Sequence, residues 1–145
     1  MFKTILVPTD GSALSVKAIE AAVEFAKFAG SKIIGLSVAE PYPYSPLSEN
    51  AMTFDANLYQ EQMIQMAHLH LQKISDAAKS AGVACETVVG QSFSPSDEIV
   101  HVSKEKNCDA IFMASHGRKG LSRLFVGSET QKVLAHSQLP VMVFR

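Results

Sequence analysis

The segment Met113 to Ser128, MASHGRKGLSRLFVGS, gathers the residue types that can bind an anion. Ser115, His116 and Gly117 end an apolar run, Ala110 to Ala114. Nine residues after Gly117, Gly127 and Ser128 open a helical pattern. A strand end, a glycine turn and a helix N-terminus in that order collect backbone N–H groups into a concave site for phosphate oxygens. Arg118, Lys119 and Arg123 lie between the two glycines, where they either add positive charge or face solvent. Ser128 fits an anion donor and helix cap better than a nucleophile. His116 adjoins the turn, but no carboxylate is identifiable as its partner in base catalysis. The chain lacks GxxxxGK followed by Ser or Thr, so it is not read as a P-loop NTPase. These residues point to a phosphate-bearing ligand.

A second polar group, Pro8-Thr9-Asp10-Gly11-Ser12, follows the first apolar run directly. Asp10 there could meet a ribose hydroxyl or support a metal-bound phosphate. It could equally bond its own turn and the following helix start, as Asp and Ser routinely do.

These residues need elements to hold them, and the chain alternates between strand and helix patterns. Lys3 to Val7 reads as a strand ended by Pro8, and Ser12 as the cap of a helix. Leu14, Ala18, Ala22, Phe25 and Ala29 recur at helical spacing until Gly30 stops them. Lys32 to Val38 is a second strand. Glu40 to Phe54 carries Pro41, Pro43 and Pro46 and reads as an ordered loop, either a lid or a plain surface connection.

A long helix is predicted from Asn57 to Ser80. Met63, Met66, Ala67, His70, Leu71, Ile74 and Ala78 mark its buried face, the methionines as core filling. His70 lies on or beside that face and His68 points away; with no second ligand at useful spacing, neither reads as a metal site. Gly82 ends the helix and Ala84 to Val89 forms an edge-like third strand. Ser94, Pro95 and Asp97 start a helix that runs to about Lys106. Asp109 to Ala114, Gly127 to His136 and Pro140 to Phe144 are the fourth strand, last helix and fifth strand. The expected fold is a parallel α/β sheet covered on both faces, with ligand at the carboxyl ends of the strands.

Composition agrees with that class. The chain has 145 residues, of which 47% are hydrophobic and 19% charged, which suits a globular domain rather than disorder. A net charge of −1 gives no basic field for nucleic acid. No apolar run reaches membrane-span length, and MFKTILVPTDG is a strand and turn rather than a signal peptide, so a cytoplasmic location is expected. Cys85 and Cys108 fit no metal or redox spacing and read as packing or surface thiols.

The opening ILVPTDGS, the alanine-rich helix after it and the closing SHG…GS…VL…PVMVF resemble the universal stress protein family over essentially the full length. Residues 1–145 are therefore expected to form one universal stress protein domain. The implied fold is a Rossmann-like sandwich of the adenine nucleotide alpha hydrolase type, a five-stranded parallel sheet flanked by about four helices. Nucleotide-binding members carry Gly, two residues, Gly, nine residues, Gly, then Ser or Thr. Gly117, Gly127 and Ser128 match, and Ala114 stands at the first glycine. If Ala114 stays in backbone conformations open to alanine its cost is about nothing; a positive φ would cost about 1 kcal/mol, roughly fivefold in affinity.

The resemblance implies ATP or a related adenine nucleotide, with Mg²⁺ or Mn²⁺ through the phosphates. Pro8, Thr9 and Asp10 would border the nucleoside, and Val38 would present backbone groups to adenine. Met113, Ala114 and Gly117 would line the ribose and phosphate path. Gly127, Ser128, Glu129 and Thr130 would offer amides or hydroxyls to the phosphates, with Gly127 permitting close approach. It also implies a homodimer through the C-terminal strand, Val141 to Phe144, in keeping with an exposed edge. The expected role is a nucleotide-dependent regulatory module in the stress response, acting on an unidentified protein partner. The alternatives are a slow ATP phosphohydrolase and an interaction protein with a vestigial pocket.

Overall fold

A computed structural model describes residues 1–43, 56–118 and 126–145. In chain order the elements are β1 (Thr4–Pro8), α1 (Ala13–Ala29), β2 (Lys32–Ala39), α2 (Ala56–Ala81), β3 (Cys85–Gln91), α3 (Pro95–Glu105), β4 (Ala110–Ala114), α4 (Ser128–His136) and β5 (Val141–Phe144). The strands form one sheet in the order β3-β2-β1-β4-β5, and every neighbouring pair is parallel. Ile5 sits opposite Ile33 on one side and Ala110 on the other, while Ala114 pairs with Phe144 at the far end of β4. Successive strands run outward from β1 through β2 to β3, and then from β4 to β5. The order therefore reverses between β1 and β4, where a parallel sheet opens a crevice for ligand.

The period-2 alternation of strands divides the core in two. Ile5, Val7, Ile33 and Phe112 face α1 and α2, packing against Ile19, Ala22, Leu71 and Ile74. Leu6, Ile34, Leu36, Ile111 and Met113 face the opposite way, onto Ile99 and Val102 of α3 and Val133 of α4. Both faces of the central strands are thus covered, which is why those strands read as nearly continuous apolar runs.

Local signals set most boundaries. Ser12 accepts the Ser15 N–H at 3.2 Å and caps α1. Gly30 closes that helix at φ 67°, a left-handed conformation natural to glycine. Pro8 belongs to the end of β1 rather than lying beyond it; a proline fits there because its missing donor is tolerated at a strand terminus.

Two expectations about the helices need correction. Met66 is 40% exposed and Met63 half-buried, so the methionine pair does not fill the core; α2 contributes Ala67, Leu71, Ile74 and Ala78 instead. Ser94 holds the N-cap position of α3 but its side chain makes no capping bond. That duty falls to Glu129 of α4, whose carboxylate accepts the Ser96 N–H at 2.8 Å. The expected lid, Glu40 to Phe54, lies largely outside the described residues, as do Lys119 and Arg123.

Both cysteines are free. Burial pushes the Cys108 thiol up to about 11 and raises that of Cys85, so both stay protonated and unreactive at neutral pH. Among the described residues no helix is long and apolar enough to cross a membrane.

Candidate functional site

A cavity of about 510 Å³ opens at the carboxyl ends of the strands, at the β1/β4 switch point. Its volume is within the range of small-molecule sites. All eleven residues expected at a ligand site line it: Pro8, Thr9, Asp10, Val38, Met113, Ala114, Gly117, Gly127, Ser128, Glu129 and Thr130. Their roles differ in detail from those the sequence suggests.

Asp10 bridges two loops. Its Oδ1 accepts the Ser12 N–H at 3.0 Å, the local bond expected of an aspartate in this turn. Its Oδ2 accepts the Arg118 N–H at 2.6 Å, reaching a residue 108 positions away. Burial pushes the carboxyl up, but the hydrogen bonds from Ser12 and from the Arg118 N–H outweigh it and hold Asp10 below its ordinary value. The clamp also explains Gly117, because a Cβ there would fall 2.6 Å from Asp10 Oδ2. Each carboxylate oxygen has a second lone pair, so the clamp leaves acceptor capacity toward a ligand hydroxyl.

Thr9 is buried and braces the turn rather than presenting its hydroxyl to the cavity. Its Oγ1 bonds Ser15 Oγ at 3.0 Å and accepts the Gly11 N–H at 3.2 Å. Val38 lies one residue before the end of β2, opposite Gly90 of β3 and half-buried at the cavity wall. Met113 and Ala114 are buried in β4. Ala114 pairs in the sheet with Phe144 and has no positive φ, so alanine is at ease there and the missing glycine costs the backbone nothing.

The N-terminus of α4 forms the anion end. Gly127 is its N-cap with φ −61° and ψ 153°, a conformation open to any residue. Space is what is tight: a Cβ at Gly127 would lie 3.2 Å from the Ser115 carbonyl oxygen, which would have to give by a few tenths of an ångström, and 3.4 Å from His116 Cα. The Gly127 N–H is itself committed to Ser115 O at 2.7 Å, and the Thr130 hydroxyl donates to Ala114 O at 3.0 Å. Both groups, which the resemblance implied would face the phosphates, thus have acceptors within the chain. What remains for an anion is the first-turn N–H set of Ser128, Glu129 and Thr130, which has no acceptor inside the helix.

Several wall residues carry no strong local signal. His70, half-buried on α2, stands over Gly11, whose φ of 77° only glycine adopts readily. Arg118 Nη2 lies 2.7 Å from His70 Nε2, and His70 Nδ1 lies 3.4 Å from Ser37 Oγ. Met63, Met66, Ala67 and His70 form the α2 wall. Their spacing of three, four and seven is one helical stripe, and that stripe is the signal that could have moved them from core to cavity. His116 bonds Ser115 Oγ through Nδ1 at 2.9 Å, while its buried Nε2 has no hydrogen-bond partner among the described residues. Among the described residues no group of three His, Cys, Asp or Glu side chains is placed to hold a metal ion.

Comparison with known proteins gives one answer. A sequence model of the Universal stress protein family matches residues 1–145. The universal stress protein YxiE of Bacillus subtilis is 30% identical, with all of both chains covered. The structure of MJ0577, a universal stress protein of Methanocaldococcus jannaschii, superimposes with a TM-score of 0.83 at 25% identity, covering 99% of this chain and 96% of that one. A universal stress protein from Archaeoglobus fulgidus, solved in complex with dAMP, shares the fold with a TM-score of 0.72 at 18% identity, covering 99% and 98%. The fold, the switch-point cavity and the full-length match agree, and the chain belongs to the universal stress protein family.

Proposed function

We propose that this chain binds an adenine nucleotide, ATP or a close relative, and serves the stress response as a nucleotide-dependent regulatory module for a protein partner. The observation that carries the reading is the α4 N-terminus, with three N–H groups that have no acceptor inside the helix, set at one end of a cavity large enough for a nucleotide. The dAMP held by the Archaeoglobus fulgidus relative is a ligand of the same chemistry. In this reading Asp10 takes the ribose, the Val38 end of β2 the base, and the Ser128–Thr130 turn the phosphates. Gly117 and Gly127 keep the path open. Mg²⁺ or Mn²⁺ would ride on the phosphates, since the described side chains do not gather into a metal site. A regulatory role requires that ligand-bound and ligand-free states differ in affinity for the partner.

Nucleotide extraction and mass analysis of freshly purified protein, followed by calorimetric titration of ATP with Mg²⁺, tests the reading. Retained or titratable adenine nucleotide is expected. No binding of ATP, ADP, AMP or a cyclic nucleotide would refute it and favour an interaction protein with a silent pocket.

The edge of the sheet supports a reading of the assembly. β5 pairs with β4 on one side and is the last strand, and Met142 on it is 45% exposed. A homodimer through Val141–Phe144 is therefore expected. Light scattering at micromolar concentration should give twice the chain mass; a monomer would remove the claim.

A further inference from the structure

The contact between Arg118 and His70 constrains the proton on His70. A guanidinium has only donors and stays charged, so a neighbour at 2.7 Å must offer a lone pair. His70 Nε2 is then unprotonated and accepts, and the single ring proton sits on Nδ1, on the side of Ser37 Oγ at 3.4 Å. His70 is neutral while the contact lasts. Protonating it would set two cations against each other at hydrogen-bond distance. Arg118 would have to leave, yet it would not go far, because its own N–H is held by Asp10 at the cavity rim.

We propose that His70 is a positioning residue: neutral, it holds the Arg118 guanidinium against α2, and protonated, it releases that guanidinium to the phosphates of the ligand. The inference rests on the adenine-nucleotide reading above. Gly117, Arg118 and the α4 N-terminus line one cavity, so a released guanidinium stays within the ligand's surroundings. Gly11 makes the arrangement possible, since a Cβ there would lie 2.3 Å from the His70 ring.

Among the described residues, the charged groups around His70 are few. Arg118 approaches from the β4 loop, Asp10 from the β1 loop and Lys73 along its own helix, while β2 offers the neutral Ser37. Burial first, then Arg118 and Lys73, hold the imidazole below its usual range, and Asp10 opposes them in part. His70 is therefore neutral at pH 7.5 and gains its proton on acidification. Coupling is reciprocal: if protonation of His70 favours phosphate binding, phosphate binding must raise the His70 midpoint.

The test follows the His70 imidazole by NMR through a pH titration of the full chain, with and without saturating ATP. It is paired with calorimetric ATP affinities at pH 7.5 and 5.5 for the native protein, His70→Gln and Arg118→Gln. ATP takes up protons of its own in this range, so the quantity read is the native pH ratio divided by that of His70→Gln. ATP should raise the His70 midpoint, and that double ratio should favour acid binding by about threefold or more. Arg118→Gln should raise the ligand-free midpoint and abolish the double ratio. Arg118 is exposed, so this variant keeps the comparison intact if His70→Gln does not fold. A midpoint indifferent to bound ATP, with parallel pH profiles for native and His70→Gln, would overturn the inference and leave the nucleotide reading standing. Absence of ATP binding at both pH values would overturn both.

Discussion

Phe112→Ala is expected to lower stability by about 3–5 kcal/mol, a large share of what a domain of this size has to lose. Phe112 is 1% exposed in the middle of β4. Its ring lies 5.1 Å from that of Phe25 on α1 and 5.9 Å from that of Phe144 on β5, so it joins a helix to the edge strand. Truncation removes the buried surface of the ring and leaves a cavity that both neighbours border. Since β4 carries Met113 and Ala114 into the site, ligand affinity should fall as well. Urea unfolding with an unchanged slope measures the loss, and Leu69→Ala, at a position 69% exposed, serves as a control near zero. A loss under about 1 kcal/mol for Phe112→Ala would mean that this face of the core is not packed as described.

Gly127→Val should weaken ATP binding at least a hundredfold, about 2.8 kcal/mol, while the chain remains folded. Its backbone dihedrals suit valine, so conformational strain is not the cause. The added Cβ would press on Ser115 O and His116 Cα, which are backbone atoms at the end of β4 and cannot rotate aside. Relief comes from moving the start of α4 outward, which carries the three anion donors with it. Parallel calorimetry and thermal unfolding separate the outcomes. Affinity within threefold of native would show that phosphate binds elsewhere, whereas loss of folding would place Gly127 among packing residues.

How much of this was legible depends on the range of the interaction. The strands announce themselves because apolar runs such as TILVP and AIFMA are buried on both faces. The caps Ser12 and Gly30 act within four residues of their partners, and sequence placed both. The Asp10–Arg118 clamp spans 108 positions, and nothing local to either residue foretells it. Glu129 and Thr130 were expected at a ligand site and line the cavity, and their side chains bond α3 and β4. Ala114 looked like a defect in a glycine pattern; as an extended strand residue it puts no strain on the backbone. His70 and the two methionines were assigned to the buried face, since helical periodicity marks an apolar stripe without saying whether core or cavity lies beneath it.

The carboxylate of Glu129 has a consequence for the charge that a ligand meets. The helices α3 and α4 both begin at the cavity, and each would attract negative charge there. Glu129 occupies the first turn of α3 through Ser96 and is held below its ordinary protonation range despite burial, by its bonds to Lys132 and Ser96. Glu129 also stands in the first turn of its own helix, so this one carboxylate lies between the two helix starts and offsets part of both poles. An anion at the α4 amides would therefore sit beside a carboxylate that Lys132 and the Ser96 N–H already pair, so the crevice presents its donors and one compensated charge side by side.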